Sequence, residues 1–242
     1  MTNDYEPWAE GEMRKWQKEM QLKPSIGGML TSGVQKRFNR IIPEKVHTAI
    51  TAAFKHTVNA LLKGSEFVSG KPLKEGPLFE RERRINQRID FYKTTSAAEG
   101  AITGAGGILL GLADFPLWLT LKMKMLSELA LLYGRDISDY KERLYILYVF
   151  QLAFSGRKHR RMIYGIVANW EEFSKTLPPP EQFDWRSFQQ EYRDYIDLAK
   201  MLQLVPGIGA FVGAYVNNKY TESLGRTAMN AYRMRWFKEK LL

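Results

Sequence analysis

Two carboxylates stand at the ends of the most apolar stretch of the chain, and they are the best candidates for chemistry. Glu99 precedes the run "GAITGAGGILLGLA", and Asp114 follows it, two residues before Pro116. A carboxylate buried among apolar groups has a raised pKa and can serve as a general acid or base. A structural role, in which both carboxylates accept hydrogen bonds at helix ends, is the first interpretation. Catalysis by Glu99 and Asp114 is the alternative.

The remaining residues of catalytic or metal-binding type do not form a recognisable motif. The histidines, at positions 47, 56 and 159, have neither a His-x-x-x-His spacing nor an HExxH pattern. The chain has no cysteine and no GxSxG elbow. The sequence therefore predicts no metal site and no cofactor, and a non-catalytic protein is favoured over an enzyme.

Glycines recur at helical spacing in two apolar segments. Steps of four, three and four residues place the first set on one helix face, and the second set forms a GxxxG pattern that an asparagine extends. Since a helical glycine costs about 1 kcal/mol relative to alanine, such rows need a packing reason. We expect the two segments to pack as a central helix pair through Gly100, Gly104, Gly107, Gly111, Gly209, Gly213 and Asn217.

The sequence does not decide what surrounds this helix pair. It suits the core of a water-soluble bundle, or a hairpin in the bilayer. A full membrane span is disfavoured because Asp114 and Pro116 interrupt the first segment and Pro206 interrupts the second. A phosphate-binding glycine loop is excluded because no strand precedes "GAITGAGG" and no lysine stands where such a loop needs one.

Basic residues give the chain a net charge of +10, which suits an anionic partner. Anionic membrane lipids are the expected partner, and nucleic acid is the third choice because no nucleic-acid-binding motif accompanies the charge. The last helix mixes Tyr232, Trp236 and Phe237 with arginines, a composition typical of an interfacial helix. The predicted contacts to an anionic surface are Arg157, Lys158, Arg160, Arg161, Arg226, Arg233, Arg235 and Lys238.

Apolar periodicity predicts helices along the whole chain, and hence an all-α fold built as a compact multi-helix bundle. Pro116 suits the first turn of a helix that Gly134 ends, and Asp136 or Ser138 is placed to cap the next one. A further helix is expected over 162–175, and the prolines at 178–180 stop it. The glycine-rich piece 205–218 and then a separate basic amphipathic helix complete the chain.

Composition defines the class of protein and its organisation. With 242 residues, 45% of them hydrophobic and 13% aromatic, the chain can bury a sizeable core. The absence of cysteine, a mean hydropathy of −0.35 and an N-terminus without a signal-peptide pattern suggest a cytoplasmic protein. We expect N-terminal amphipathic helices over 1–42 and one helical domain over 43–242, with a sub-domain joint near 177–184.

Two stretches of the chain resemble the EcsC family of bacterial proteins. They are "AAEGAITGAGGILLGLADFPLWLTLKMKMLSELALLYGRD" and "VPGIGAFVGAYVNNKYTESLGRTAMNAYRMRW". The resemblance as a whole covers most of the chain, from near residue 40 onward. Their joint motifs (EG, the glycine run, AD-x-P, YG-x-D and P-x-IG…NN) are more specific than any one of them. The family-pattern positions are Glu99, Gly100, Gly104, Gly107, Asp114, Gly134, Asp136, Pro206, Gly207 and Gly209.

The resemblance implies a helical protein named for an ABC-transporter operon, without an established catalytic activity. It therefore implies no catalytic residue for this chain. Together with the basic surface, it suggests a peripheral protein on the inner face of the cell membrane, with anionic lipids and ABC-transporter subunits as partners. The alternative is a hydrolase acting on a lipid or peptide through Glu99 and Asp114, and the third candidate is a nucleic-acid-binding protein.

Overall fold

The computed structural model describes residues 4–22, 44–63, 70–103, 115–184, 186–188 and 210–241. Within these ranges it gives side-chain positions except at 44–47, 49–50, 63, 96–103, 157–158 and 210–217. The described part of the chain is helical and contains no strand, which confirms the predicted all-α class.

Eight α-helices and one short 3₁₀ turn make up the described structure. They are α1 (Tyr5–Gln21), α2 (Glu44–Lys63), α3 (Leu78–Thr103), α4 (Phe115–Leu132), α5 (Tyr140–Phe154), α6 (Arg157–Ala168), α7 (Trp170–Lys175), the 3₁₀ turn Pro180–Gln182, and α8 (Ala210–Glu239).

The predicted boundaries of α4 are confirmed. Pro116 occupies the first turn, where its missing N–H has no helical partner to lose. Gly134 follows the helix with φ +82°, a left-handed conformation that glycine adopts at little cost. A Cβ at this position would also lie 3.0 Å from the carbonyl oxygen of Leu73. The turn after α4 therefore requires glycine for two reasons.

Three other boundaries differ from the prediction. The cap of α5 is Asp139 rather than Asp136 or Ser138, because its carboxylate accepts a 2.9 Å hydrogen bond from the Lys141 backbone N–H. The helix expected over 162–175 is divided at Asn169, whose side-chain amide donates to the Gly165 carbonyl and ends α6. The glycine-rich piece and the last helix are not separate, since α8 is continuous from Ala210 to Glu239.

Helix α8 lies at the centre of the bundle and runs antiparallel to α3. Arg233 pairs with Glu82, Gly225 contacts Ile89, and Glu222 lies 3.9 Å from Lys93, so residue numbers fall on α8 as they rise on α3. Leu224, Ala228 and Ala231 of α8 are fully buried. The helix that composition predicts to lie at a membrane interface is thus the core helix of the protein.

The other helices surround this pair. Contacts between aromatic rings identify one end of the bundle. Phe154 at the end of α5 lies 5.9 Å from the Trp118 ring of α4 and 6.0 Å from the Tyr220 ring of α8. We call this the Phe154 end; α4 and α6 begin there, and α3 runs towards it. The opposite end, where α1 and α3 begin and α8 finishes, we call the Glu82 end.

Helix α1 packs into the same hydrophobic core as the later helices. Its Ala9, Met13 and Trp16 are buried, and the Trp16 ring lies 5.9 Å from Tyr164 of α6. The apolar face predicted for the N-terminal segment is therefore confirmed for these positions. The proposed boundary at residue 42 lies outside the described residues, and it and the joint near 177–184 stay predictions.

Candidate functional site

The most buried charged pair of the described structure joins α3 to α8. Glu82 has no exposed surface, and Arg233 is 4% exposed. Arg233 Nε and Nη2 donate to the two oxygens of Glu82 at 2.8 and 2.6 Å. A two-point contact of this kind is both charge-assisted and directional. It fixes the rotation and the register of α8 against α3.

Two tyrosines complete the surroundings of Glu82. Tyr5 of α1 donates to Oε2 at 2.6 Å, and Tyr133 donates to Oε1 at 2.7 Å. Burial raises the pKa of both phenols, and the negative charge of Glu82 acts in the same direction. Each carboxylate oxygen thus accepts two hydrogen bonds, so Glu82 is committed to holding three segments together and is not placed to act as a base.

Burial also affects the pKa of the arginine of this pair. Burial alone would lower the pKa of Arg233, but the hydrogen bonds and charge of Glu82 outweigh it and raise that pKa. The guanidinium therefore stays charged inside the protein.

A second ion pair joins α8 to α5. Arg235 is 6% exposed and donates to both oxygens of Glu142, at 2.6 and 2.8 Å, through its two terminal nitrogens. Its Nε donates to Glu171 of α7 at 2.8 Å, and its guanidinium lies 4.8 Å from the centre of the Tyr145 ring. Arg233 and Arg235 thus connect α8 to its neighbours on different sides.

The prediction that Arg233 and Arg235 bind an anionic surface is therefore wrong. Both side chains are buried and saturated by carboxylates of the same chain. A lipid headgroup could reach them only if the ion pair were broken, which would leave an uncompensated charge inside the protein. The pattern of basic and aromatic residues did not distinguish a core helix with internal ion pairs from an interfacial helix.

The other predicted contacts with an anionic surface stay predictions. Arg161, Arg226 and Lys238 are exposed, and Arg160 is partly buried. Arg226 lies 3.4 Å from Glu19 of α1, in a pair between largely exposed groups. Arg157 and Lys158 belong to α6, and their side chains lie outside the described ones.

The Phe154 end contains a buried lysine that the sequence analysis missed. Lys122 has no exposed surface, and its Nζ donates to Thr221 Oγ1 of α8 at 2.6 Å and lies 5.6 Å from the Trp118 ring. Its position is three residues after Leu119 and four before Leu126, both fully buried, so helical spacing already placed it on the inner face. The spacing alone thus indicates a buried lysine in α4.

The glycine positions are only partly described. Gly100 lies in α3, and Gly213 and Asn217 lie in α8, two helices that pack antiparallel along their described contacts. Gly104, Gly107, Gly111 and Gly209 lie outside the described residues, as do Asp114 and the side chain of Glu99. The predicted glycine pair and the alternative catalytic role of the two carboxylates stay predictions.

A different glycine, absent from the predicted set, determines the approach of α3 to α8. A Cβ on Gly225 would lie 2.6 Å from Ile89 Cδ1 and 2.9 Å from its Cγ1. Those distances are shorter than van der Waals contact, so the two helices meet here only because residue 225 has no side chain. Gly225 is not part of a GxxxG pattern, which is why spacing did not identify it.

The described residues form neither a metal-binding cluster nor a membrane-spanning helix. Among them, no three histidine or acidic side chains are grouped as a metal ion would require. None of the helices in the described ranges combines the length and the hydrophobicity that crossing a membrane needs.

Comparisons with known proteins identify the family. The model of the EcsC protein family matches residues 9–237, so the similarity includes α1 and begins about 30 residues before the resemblance noted in the sequence. Protein EcsC of Bacillus subtilis (strain 168) is 42% identical over 229 residues, which cover 94% of this chain and 94% of that protein.

A second protein from the same organism is more distant. The uncharacterized protein YdbA of Bacillus subtilis (strain 168) is 32% identical over 177 residues, which cover 72% of this chain and 65% of that protein. No solved structure matches the chain. On the extent of the family match and the identity to protein EcsC, the chain belongs to the EcsC protein family.

Proposed function

We propose that the protein is a non-catalytic, peripheral accessory protein of an ABC-transport system, and that it binds the anionic inner face of the cell membrane with the Phe154 end of its bundle. The observation that carries the proposal is a convergence of sequence at this end. The basic run 157–161 begins α6 there, α4 begins there, and the sequence between α3 and α4 is the glycine-rich stretch 104–114.

Further parts of the sequence lead to the same end. The second glycine-rich piece continues into α8, where the Tyr220 ring contacts Phe154. Residues 23–43, which follow α1, contain Lys23, Lys36, Arg37 and Arg40 and no acidic residue. Glycine-rich and basic segments are thus joined in sequence to helices that begin at the Phe154 end or run towards it.

Exposed apolar side chains on the same helices support the proposal. Leu117, in the first turn of α4, is 49% exposed, and Met162 of α6 is 46% exposed. Transfer of a large apolar side chain from water is favourable by about 1.5–3 kcal/mol when it is complete, and each basic residue near an anionic membrane adds about 1 kcal/mol. A few of each would suffice for reversible binding.

Not every exposed cation contributes to this orientation. Helix α8 has 30 residues, which at about 1.5 Å per residue gives a length near 45 Å. Lys238 lies at the Glu82 end of this helix and is separated from the Phe154 end by several Debye lengths, each about 8 Å at physiological salt. Lys238 is therefore not among the proposed membrane contacts.

Vesicle flotation with matched variants tests the lipid part of the proposal. The protein should float with vesicles of phosphatidylcholine and phosphatidylglycerol, and less with phosphatidylcholine alone. Leu117→Asp combined with Arg161→Glu should reduce the floating fraction about tenfold, because it removes apolar and cationic contacts from the Phe154 end.

The control is Leu241→Asp combined with Lys74→Glu, which makes the same charge change on exposed residues near the Glu82 end. It should bind vesicles as the wild type does. Equal losses in both variants, or no flotation of the wild type, would contradict membrane binding through the Phe154 end.

Co-expression with the ATPase and membrane subunits of the proposed ABC transporter tests the transport part separately. The protein should co-purify with these subunits after detergent extraction, and the flotation-deficient variant should do so less. Vesicle binding without co-purification would leave a lipid-binding protein and refute the transport link.

A further inference from the structure

A groove between α1 and α3, with α8 as its floor, follows from the way these helices diverge. The two helices meet in their first turns, where the Tyr5 and Phe79 rings lie 5.2 Å apart. Beyond this point α1 turns to α6, where Gln21 donates to the Tyr164 hydroxyl, whereas α3 stays on α8 and brings Lys93 to Glu222. The space left between them has a volume of about 250 Å³.

The groove has an apolar floor and a polar rim. Ile89 and Met229 form the apolar floor and are mostly buried by neighbouring side chains. Trp8 stands at the narrow end with 55% of its surface exposed, held between the Tyr5 ring at 5.2 Å and the Arg233 guanidinium at 5.5 Å. A rigid, exposed tryptophan beside an apolar floor is the usual composition of an energetic centre in a protein interface.

The charges of the rim are unlike those of the whole chain. Glu12 and Glu222 contribute two carboxylates, and Arg226 contributes one exposed guanidinium. The charge of Arg233 at the floor is balanced by Glu82. Each of the three rim charges has a partner of opposite sign, Lys15 for Glu12, Lys93 for Glu222 and Glu19 for Arg226. The groove is therefore close to neutral on a chain whose net charge is +10, which makes it less suited to nucleic acid or anionic lipid than the basic surface elsewhere.

The cations nearest to the two carboxylates do not block a partner. Lys15 lies 2.7 Å from Glu12, and Lys93 lies 3.9 Å from Glu222, and each pair joins a largely exposed group to a partly buried one. Pairs of this kind are worth about 1 kcal/mol or less, so a partner's cation can replace them.

We propose that this groove binds an amphipathic helix of a partner protein, with an aliphatic side chain on Met229 and Ile89 and a lysine or arginine one turn away facing Glu12 or Glu222. A helix is the matching shape because the groove is bounded along its length by helices, and a further helix would complete the layer between α1 and α3. This inference goes beyond the proposed function and does not depend on membrane binding.

Two designed helical peptides of equal length test it, one of leucine and lysine and one of leucine and glutamate, each with one apolar face. The full-length protein should bind the Leu–Lys peptide more tightly in fluorescence anisotropy at physiological salt. Non-specific attraction to a chain of charge +10 gives the opposite order, so the sign of the preference separates the groove from general electrostatics.

Charge-reversal variants locate the binding. Glu12→Lys combined with Glu222→Lys should weaken the Leu–Lys peptide by about tenfold or more, because it removes both acidic contacts. Glu172→Lys combined with Glu181→Lys makes the same charge change on exposed residues outside the groove and should leave the affinity within about twofold. Trp8→Ala should weaken binding about tenfold through loss of the aromatic contact.

Circular dichroism and thermal melting establish that each variant is folded. Preference for the Leu–Glu peptide, no binding of either peptide, or equal effects of the two charge-reversal variants would each overturn the proposal. Because vesicles and transporter subunits are absent, these outcomes leave the proposed function untouched.

Discussion

Gly225 allows α3 and α8 to approach closely because glycine has no Cβ atom. Three atoms of the Ile89 side chain would lie within 3.2 Å of a Cβ at this position. Ile89 is 6% exposed and cannot swing into solvent without leaving the core. The close packing of the two longest helices therefore depends on one residue pair.

Gly225→Ala should lower the free energy of unfolding by about 1–2 kcal/mol, since overpacking costs about 1–3 kcal/mol and alanine returns up to about 1 kcal/mol of helix propensity. Gly11→Ala in α1 is the control, because a Cβ there has no neighbour within 4 Å; it should be neutral or stabilising. Denaturant titration measures both.

A double-mutant cycle identifies the cause of the Gly225 effect. Ile89→Val removes Cδ1, the atom nearest to the added Cβ. The double variant should therefore be more stable than the sum of the single changes predicts. Additive effects would show that crowding against Ile89 is not the cause.

At the scale of elements, the Glu82 cluster joins α1, α3 and α8 and the turn after α4. Tyr5 and Tyr133 add hydrogen bonds to the pair between Glu82 and Arg233. The free-energy cost of burying these charges is offset only while every hydrogen-bonding partner is present. Its main effect is to select one register for the helices, which an apolar contact would fix less strictly.

Glu82→Gln should lower the free energy of unfolding by about 3–5 kcal/mol, because it leaves the buried Arg233 guanidinium without its counter-charge. Glu80→Gln is the matched control on the same helix, where the side chain is exposed, and should change stability by less than about 0.5 kcal/mol. Similar results for the two variants in denaturant titration would refute the structural role of Glu82.

At the scale of the whole molecule, buried tyrosines make stability depend on alkaline pH. Burial raises the pKa of Tyr133, Tyr145 and Tyr232 above the ordinary value of about 10. Above that pH the unfolded chain releases protons that the folded protein retains. The free energy of unfolding is therefore unaffected by these groups below about pH 10 and falls as pH rises further.

We expect cooperative alkaline unfolding rather than gradual titration. Phenolate absorbance should show the exposed tyrosines ionising near pH 10 and the buried ones ionising later, together with loss of helical circular dichroism. Ionisation of all 12 tyrosines near pH 10 in a protein that stays helical would contradict this expectation.

The sequence by itself determined the fold class and several helix boundaries of this protein. Apolar spacing predicted the buried positions of α1, and Pro116 and Gly134 marked where α4 begins and ends. These features depend on residues within a turn or two of each other. Local sterics and hydrogen bonding therefore suffice to specify them, and they are legible without a structure.

Only the tertiary structure decided which charges are internal. Arg233 and Arg235 carry the same basic pattern as a surface helix, and their partners Glu82 and Glu142 are 151 and 93 residues away in sequence. The close approach at Gly225 likewise depends on Ile89 from another helix. A buried ion pair or helix contact is a relation between distant residues, and no local pattern on either helix encodes it.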